Sequence, residues 1–269
     1  MATGMASVPG GELYYQLRGA GRPIVLLHAG FMDHRMWDEQ FELLAGDFTT
    51  IRYDARGHGR SSAPVGDFSN FQDLHDLLAG LGVPRATLVG LSLGARTAVD
   101  FALTHPHMVE GLALAAPGVS GMRQTDPVLL EYAKAMAAAE KAGDAGMLVE
   151  WFLRSWVDGP GRTPAQVDQA MRARCQAMAA GTVAKLTRDR GRVLEVGAIG
   201  RLDELRAPTL VMVGDLDSSD IHQVADLLAA QVPGAAKVAV GGAGHMLNLE
   251  RRDVFDRALL AFLDSAGTA

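Results

Sequence analysis

The chain has 269 residues, with 25 Lys and Arg against 31 Asp and Glu for a formal charge of −6; 48% of it is hydrophobic and 21% charged. That composition excludes a disordered chain and lacks the basic footprint of a nucleic-acid binder, while the length allows a sizeable core without staples. The only cysteine, Cys175, excludes an intrachain disulfide and a four-cysteine zinc site, and no run approaches the roughly 18 apolar residues of a membrane span.

Residues 1–11 carry no Lys or Arg and no long apolar run, so they do not read as a signal peptide and a cytoplasmic protein is expected. Residues 12–17 read as an antiparallel strand at one sheet edge. Further strands are predicted at 24–28, 49–54, 86–91, 111–115, 209–214 and 236–240. Most are continuous apolar runs, as in strands buried on both faces. Their alternation with helix-period segments predicts an α/β chain with a mostly parallel sheet and helices on both of its faces. Ser69-x-x-Gln72 reads as a capping box before the stripe Phe71, Leu74, Leu77, Leu78 and Leu81.

Between residues 119 and 202 the alternation stops and no strand is predicted. Helices are expected at 127–142, 145–157 and 164–180, with a weaker piece after Thr182. Asp126-Pro127 and Thr163-Pro164-x-Gln166 supply N-caps followed by proline, and Gly159-Pro160-Gly161 separates the middle pair. The expected organisation is one core domain in two parts, 1–118 and 203–269, interrupted by an all-helical cap over 119–202. Val254, Phe255, Ala258, Leu259, Phe262 and Leu263 mark the last helix, with Gly267 beyond it.

Gly90-x-Ser92-x-Gly94 sits between a predicted strand and a small-residue helix. Such a turn presents its serine at a helix N-terminus, where free N–H groups favour a developing anion. A serine hydroxyl needs a base, and the base an orienting carboxylate. Both follow in chain order. Asp215 and Asp217 end one strand, with Asp220 farther on, and His245 lies in a glycine-rich loop after the next. Loops at strand ends line the crevice where open α/β sheets bind ligands.

These residues resemble the α/β-hydrolase superfamily over nearly the whole chain. His28-Ala29-Gly30-Phe31 with Trp37 is similar to its oxyanion loop, and Asp54-Ala55-Arg56-Gly57-His58-Gly59-Arg60-Ser61 to its Asp-x-Arg-Gly-x-Gly-x-Ser turn. Gly90–Gly94 matches the nucleophile elbow and Gly244-His245 the terminal histidine loop. The resemblance implies Ser92 as nucleophile, His245 as base and acid, and Asp217 as orienting acid, favoured over Asp215 by its place three after Gly214. It implies oxyanion donors at the backbone N–H of Leu93 and of Gly30 or its neighbour Phe31. The family's usual His-Gly pair reads His28-Ala29 here.

Asp54 and Arg56 are expected to hold their turn through hydrogen bonds to backbone. Helical insertions in this family roof the active site, so within the apolar set Met147, Trp151, Phe152, Trp156, Met171 and Met178, either Trp151 or Trp156 is expected to face substrate, alongside Phe31. No metal and no cofactor is expected: His-Glu-x-x-His, Gly-x-x-x-x-Gly-Lys-Ser/Thr and Gly-x-Gly-x-x-Gly are absent.

The resemblance implies a serine hydrolase of a small carboxylic ester or lactone. Arg35-Met36-Trp37 and the Arg52–Gly59 stretch are similar to β-ketoadipate enol-lactone hydrolases, and serine in the elbow disfavours the aspartate-nucleophile dehalogenases and epoxide hydrolases. The alternatives are a C–C bond hydrolase of ring-cleavage products with the same triad, a cofactor-free perhydrolase or haloperoxidase, and a slow or non-catalytic ligand-binding receptor. The expected partner is a small-molecule substrate, with neither nucleic acid nor membrane; the oligomeric state is open.

Overall fold

The computed structural model of the chain describes residues 1–185 and 191–266. Among the described residues eight strands form one sheet: β1 (Ala2–Val8), β2 (Gly11–Arg18), β3 (Pro23–Leu27), β4 (Thr49–Tyr53), β5 (Ala86–Leu91), β6 (Val109–Ala115), β7 (Thr209–Gly214) and β8 (Ala236–Val240). Their order is β1-β2-β4-β3-β5-β6-β7-β8. β2 is antiparallel to both neighbours, and every pairing from β4 to β8 is parallel.

Parallel neighbours need crossovers, and helices supply them. They are α1 (Asp38–Leu44), α2 (Asn70–Gly80) and α3 (Leu93–Thr104), then α4 (Pro127–Ala142), α5 (Ala145–Phe152) and α6 (Gln169–Val183), then α7 (Ser219–Gln231). After β8 come α8 (Leu247–Glu250) and α9 (Arg252–Ala266). β5 and β7 are buried along their whole length, which is why their sequences carry no polar alternation. No helix among the described residues is long and apolar enough to cross a membrane.

Several expectations need correction. The strand over residues 12–17 is antiparallel but is not the edge, because β1 pairs outside it from Ala2↔Leu17 to Val8↔Gly11. β1 is mostly exposed and has no apolar signature. Its signal is Pro9-Gly10, with Gly10 at φ +77°, a dipeptide suited to a tight turn. β6 starts earlier than predicted, at Val109. Ser69 does stand at the N-cap of α2, yet its side chain makes no capping bond; Gln72 instead donates to the Asp76 carboxylate (2.9 Å).

Between β6 and β7 the described residues hold α4, α5 and α6, and Asp126 caps α4 by accepting from the N–H groups of Val128 (3.0 Å) and Leu129 (3.2 Å). The helix predicted over 145–157 does not continue as α: past Phe152 it widens into a π-helical stretch, Leu153–Asp158, stopped by Gly159 at φ +79°. The helix predicted over 164–180 is a short 3₁₀ turn, Pro164–Gln166, followed by α6. Arg172 of α6 binds Asp158 (2.8 and 3.0 Å) and Glu150 (3.0 and 3.1 Å), tying α5, the π-helical stretch and α6 together. One bridge, Phe68↔Val193, is the departure from an all-helical insertion among the described residues. The weaker piece expected after Thr182 falls partly on 186–190, which, like Gly267, lies outside the described residues.

Candidate active site

β5 ends at Leu91 and α3 begins at Leu93, so Ser92 alone makes the joint, at φ +56° and ψ −106°. A side chain in such a sparsely populated region costs about 1–3 kcal/mol. The joint is pinned from both sides: the Ser92 N–H donates to Ala115 O (3.0 Å), and Ser92 O accepts from Arg96 N–H (2.9 Å) and Gly118 N–H (3.3 Å). A Cβ on Gly90 would stand 2.4 Å from the Gly94 carbonyl carbon, and one on Gly94 would stand 2.1 Å from Leu27 O. Both motif glycines are therefore required by backbone packed on backbone.

The loops after β7 and β8 meet in the same way. A Cβ on Gly214 would lie 2.3 Å from Ala243 O and 2.4 Å from Gly244 O. Their contact brings His245 Nδ1 to 2.9 Å from Asp217 Oδ2 and 3.2 Å from Oδ1, with both side chains only 2% exposed. Donation from Nδ1–H to this carboxylate leaves Nε2 as the ring's acceptor. The other carboxylates are used elsewhere. Asp215 accepts from Gly242 N–H (2.7 Å), whereas Asp220 accepts from Thr125 N–H and hydroxyl and from Asp126 N–H. The insertion reaches the histidine loop through Arg162, which pairs with Glu250, and Glu250 accepts Gly244 N–H (3.0 Å).

Ser92, Leu93, His245, Gly30 and Phe31 line one cavity of about 190 Å³. The insertion adds Met136 from α4, Phe152 from α5 and Trp156 from the π-helical stretch. The Trp156 ring lies 4.5 Å from the His245 imidazole, and Phe152 stacks on Phe31 at 4.6 Å. Trp151, expected as an alternative to Trp156, instead packs on Tyr132 at 5.5 Å. Met147 is exposed, Met178 is buried in the core and Met171 lines a separate cavity. Sequence reading missed Met136, hidden in an alanine-rich helix, and Arg96, which also lines the cavity. A turn closed by Met32 N–H on Ala29 O (3.1 Å) holds Gly30 and Phe31, the latter at φ +62°; the N–H groups of both have no acceptor among the described residues.

A family model described as the alpha/beta hydrolase fold matches residues 22–252. The chain belongs to the alpha/beta hydrolase family. A 2-hydroxy-6-oxononadienedioate/2-hydroxy-6-oxononatrienedioate hydrolase of Paraburkholderia phymatum is 29% identical, over 94% of this chain and 91% of that one. Among solved structures, a hydrolase from Pseudomonas aeruginosa PA01 matches at TM-score 0.78 and 31% identity, covering 97% of this chain and 98% of that one. The enol-lactonase from Burkholderia xenovorans LB400 matches at TM-score 0.78 and 25% identity, covering 97% and 100%.

In this alpha/beta hydrolase the turn after β4 is bonded to itself and to its neighbours. Asp54 Oδ1 accepts from the N–H and Nδ1 of His34 (both 2.7 Å), and Oδ2 accepts from Arg60 N–H (2.7 Å). A Cβ on Gly59 would stand 2.2 Å from that carboxylate. Arg56 departs from the expected backbone role: it clamps the Asp73 carboxylate (2.6 and 2.9 Å) as well as Pro9 O (2.8 Å). His28 accepts Ala55 N–H at Nε2 (2.9 Å) and donates from Nδ1 to Ala29 O (2.8 Å), which needs a neutral ring. Burial lowers its pKa accordingly, and burial beside His28 pushes His58 down to about 4. Asp33, His34 and Asp54 lie close enough to hold an ion, but Asp33 is taken by Arg35 and Asp54 by His34 and Arg60.

Proposed function

We propose that this hydrolase cleaves a small carboxylic ester or lactone through an acyl-enzyme, with Ser92, His245 and Asp217 as its catalytic triad and residues 119–202 as its cap. The observation that carries the reading is a serine forced to φ +56° and a carboxylate-bound imidazole lining one cavity. Ser92 Oγ attacks the substrate carbonyl carbon as His245 Nε2 takes its proton. The tetrahedral oxyanion accepts hydrogen bonds from Leu93 N–H, first in α3, and from the Gly30–Phe31 turn. Loss of one such donor typically costs about 3–4 kcal/mol of barrier. Collapse expels the alcohol oxygen, which takes the proton back from His245; in a lactone it stays attached to the acyl group. Water then attacks the acyl-enzyme with His245 as base, and the acid leaves.

Similarity to the Burkholderia xenovorans enol-lactonase supports the ester or lactone substrate. Similarity to the Paraburkholderia phymatum hydrolase supports a second reading, C–C cleavage of a vinylogous diketone by the same residues. Turnover across p-nitrophenyl esters of graded acyl length, lactones of graded ring size and a vinylogous diketone, with Ser92→Ala as blank, separates the two. The proposal predicts Ser92-dependent cleavage fastest among esters or lactones. Faster diketone cleavage favours the second reading, and no turnover of any of them overturns both.

A further inference from the structure

A second cavity, about 170 Å³, adjoins the first, and the two share Ser92, Arg96 and Trp156. In the first, Arg96 is the one permanently charged side chain; the rest of its lining is apolar apart from Ser92 and His245. In the second, the carboxylate of Asp220 is already held by Thr125 and Asp126. Arg96 stands one turn of α3 beyond the nucleophile, its N–H on Ser92 O, so the two side chains leave the helix on neighbouring positions.

Two other arginines packed between elements fill both Nε and Nη2 with carboxylates, although Arg56 Nη1 is itself buried without a partner. Arg56 holds Asp73 through two nitrogens and Pro9 O besides, and Arg172 makes four bonds to Asp158 and Glu150. Arg96 makes one, from Nη1 to Glu195 Oε1 (3.0 Å), in a pair about one-third exposed on each side (34% and 31%). Its Nε is closed off from solvent without an acceptor, and Nη2 has no acceptor among the described residues. With Nε closed off and Nη1 on Glu195, Nη2 is the nitrogen left to meet an incoming carboxylate, in a charge-assisted bond.

We propose that Arg96 anchors a carboxylate on the substrate, so that the ester or lactone opened at Ser92 is an acid-bearing one, such as the half-ester of a short dicarboxylic acid. The proposal builds on the hydrolase reading above. A lone cation in an apolar cavity beside the nucleophile selects a monoanion, since a neutral ester offers it no charged partner. Glu195 competes with the substrate for the same cation.

The test compares mono-p-nitrophenyl glutarate with p-nitrophenyl butyrate in wild type, Arg96→Gln, Arg96→Lys and Glu195→Gln. Wild type should favour the acid-bearing ester. Arg96→Gln should lower the acid-to-neutral ratio of kcat/KM by about 10- to 100-fold, chiefly through KM, as for a hydrogen bond to a charged group. Arg96→Lys should restore part of it, and Glu195→Gln should raise it. An unchanged ratio in Arg96→Gln overturns the anchor, and so does an equal fall in Arg96→Gln and Glu195→Gln, which would mark a purely structural pair. Calorimetric titration of glutarate into Ser92→Ala, and into Ser92→Ala/Arg96→Gln, separates this proposal from the hydrolase reading. Binding that needs Arg96 supports the anchor even if no ester is cleaved; Ser92-dependent cleavage of neutral esters without glutarate binding sinks the anchor and leaves the hydrolase standing.

Discussion

Asp217→Asn is the substitution that most sharply divides the two neighbouring aspartates. Asparagine keeps the shape of the carboxylate but removes its charge and turns one of its two acceptors into an N–H donor. In the native site both oxygens lie near His245 Nδ1, at 2.9 and 3.2 Å, and side chains 2% exposed leave no room for water as a substitute. The imidazole then favours the tautomer that carries its proton on Nε2, the atom that takes one from Ser92 in the proposed mechanism. We expect kcat/KM for p-nitrophenyl acetate to fall roughly 10³- to 10⁴-fold, about 4–5 kcal/mol of barrier. The fold should survive, since an asparagine Oδ1 still accepts the Ser218 N–H that Asp217 binds at 2.7 Å. Asp215→Asn is the control: its remaining oxygen still accepts from Gly242 N–H, and the loss should be far smaller. Steady-state kinetics on both variants, with far-UV circular dichroism to check folding, decides the matter. If Asp217→Asn stays within about tenfold of wild type, or Asp215→Asn suffers the larger loss, the assignment of the orienting acid is wrong.

Gly94→Ala should destabilise the fold by about 3 kcal/mol or more, because its Cβ meets the backbone oxygen of Leu27 at 2.1 Å, and urea unfolding measures it. Gly181→Ala, in α6 with nothing within 4 Å of the new Cβ, should do the opposite and add up to about 1 kcal/mol. His58 carries a folded-state pKa of about 4. Between its unfolded value, near 6.5, and that value, the unfolded chain binds a proton that the native chain refuses, so stability drops as pH falls through this window. From pH 7 to pH 5 the His58 contribution is about 2 kcal/mol, and His58→Asn should flatten the pH dependence of unfolding by that amount. An unchanged slope would contradict it.

The parts of this fold that were legible in the sequence are those where one local requirement sets residue identity. β5 and β7 are buried on both faces and so read as unbroken apolar runs. Gly90, Gly94 and Gly214 are fixed by backbone contacts under 2.5 Å that any Cβ would make, which is why the motifs survive as short strings. What escaped depends on distant partners. β1 is held by backbone pairing with β2 rather than by burial of its side chains. The π-helical stretch, whose Asp158 binds Arg172 on another helix, is the segment that carries Trp156 to His245, and neither partner is near in sequence. Arg96 carries no motif; it stands out only once the fold places it in the cavity beside Ser92.

The most direct test of the central claim is covalent: treat the protein with a fluorophosphonate and map the adduct by peptide mass spectrometry. The account predicts a single phosphonylated serine at position 92, lost in Ser92→Ala and strongly slowed in His245→Ala. A folded wild-type protein that takes up no label, or labels at another residue while Ser92 stays unmodified, would contradict it.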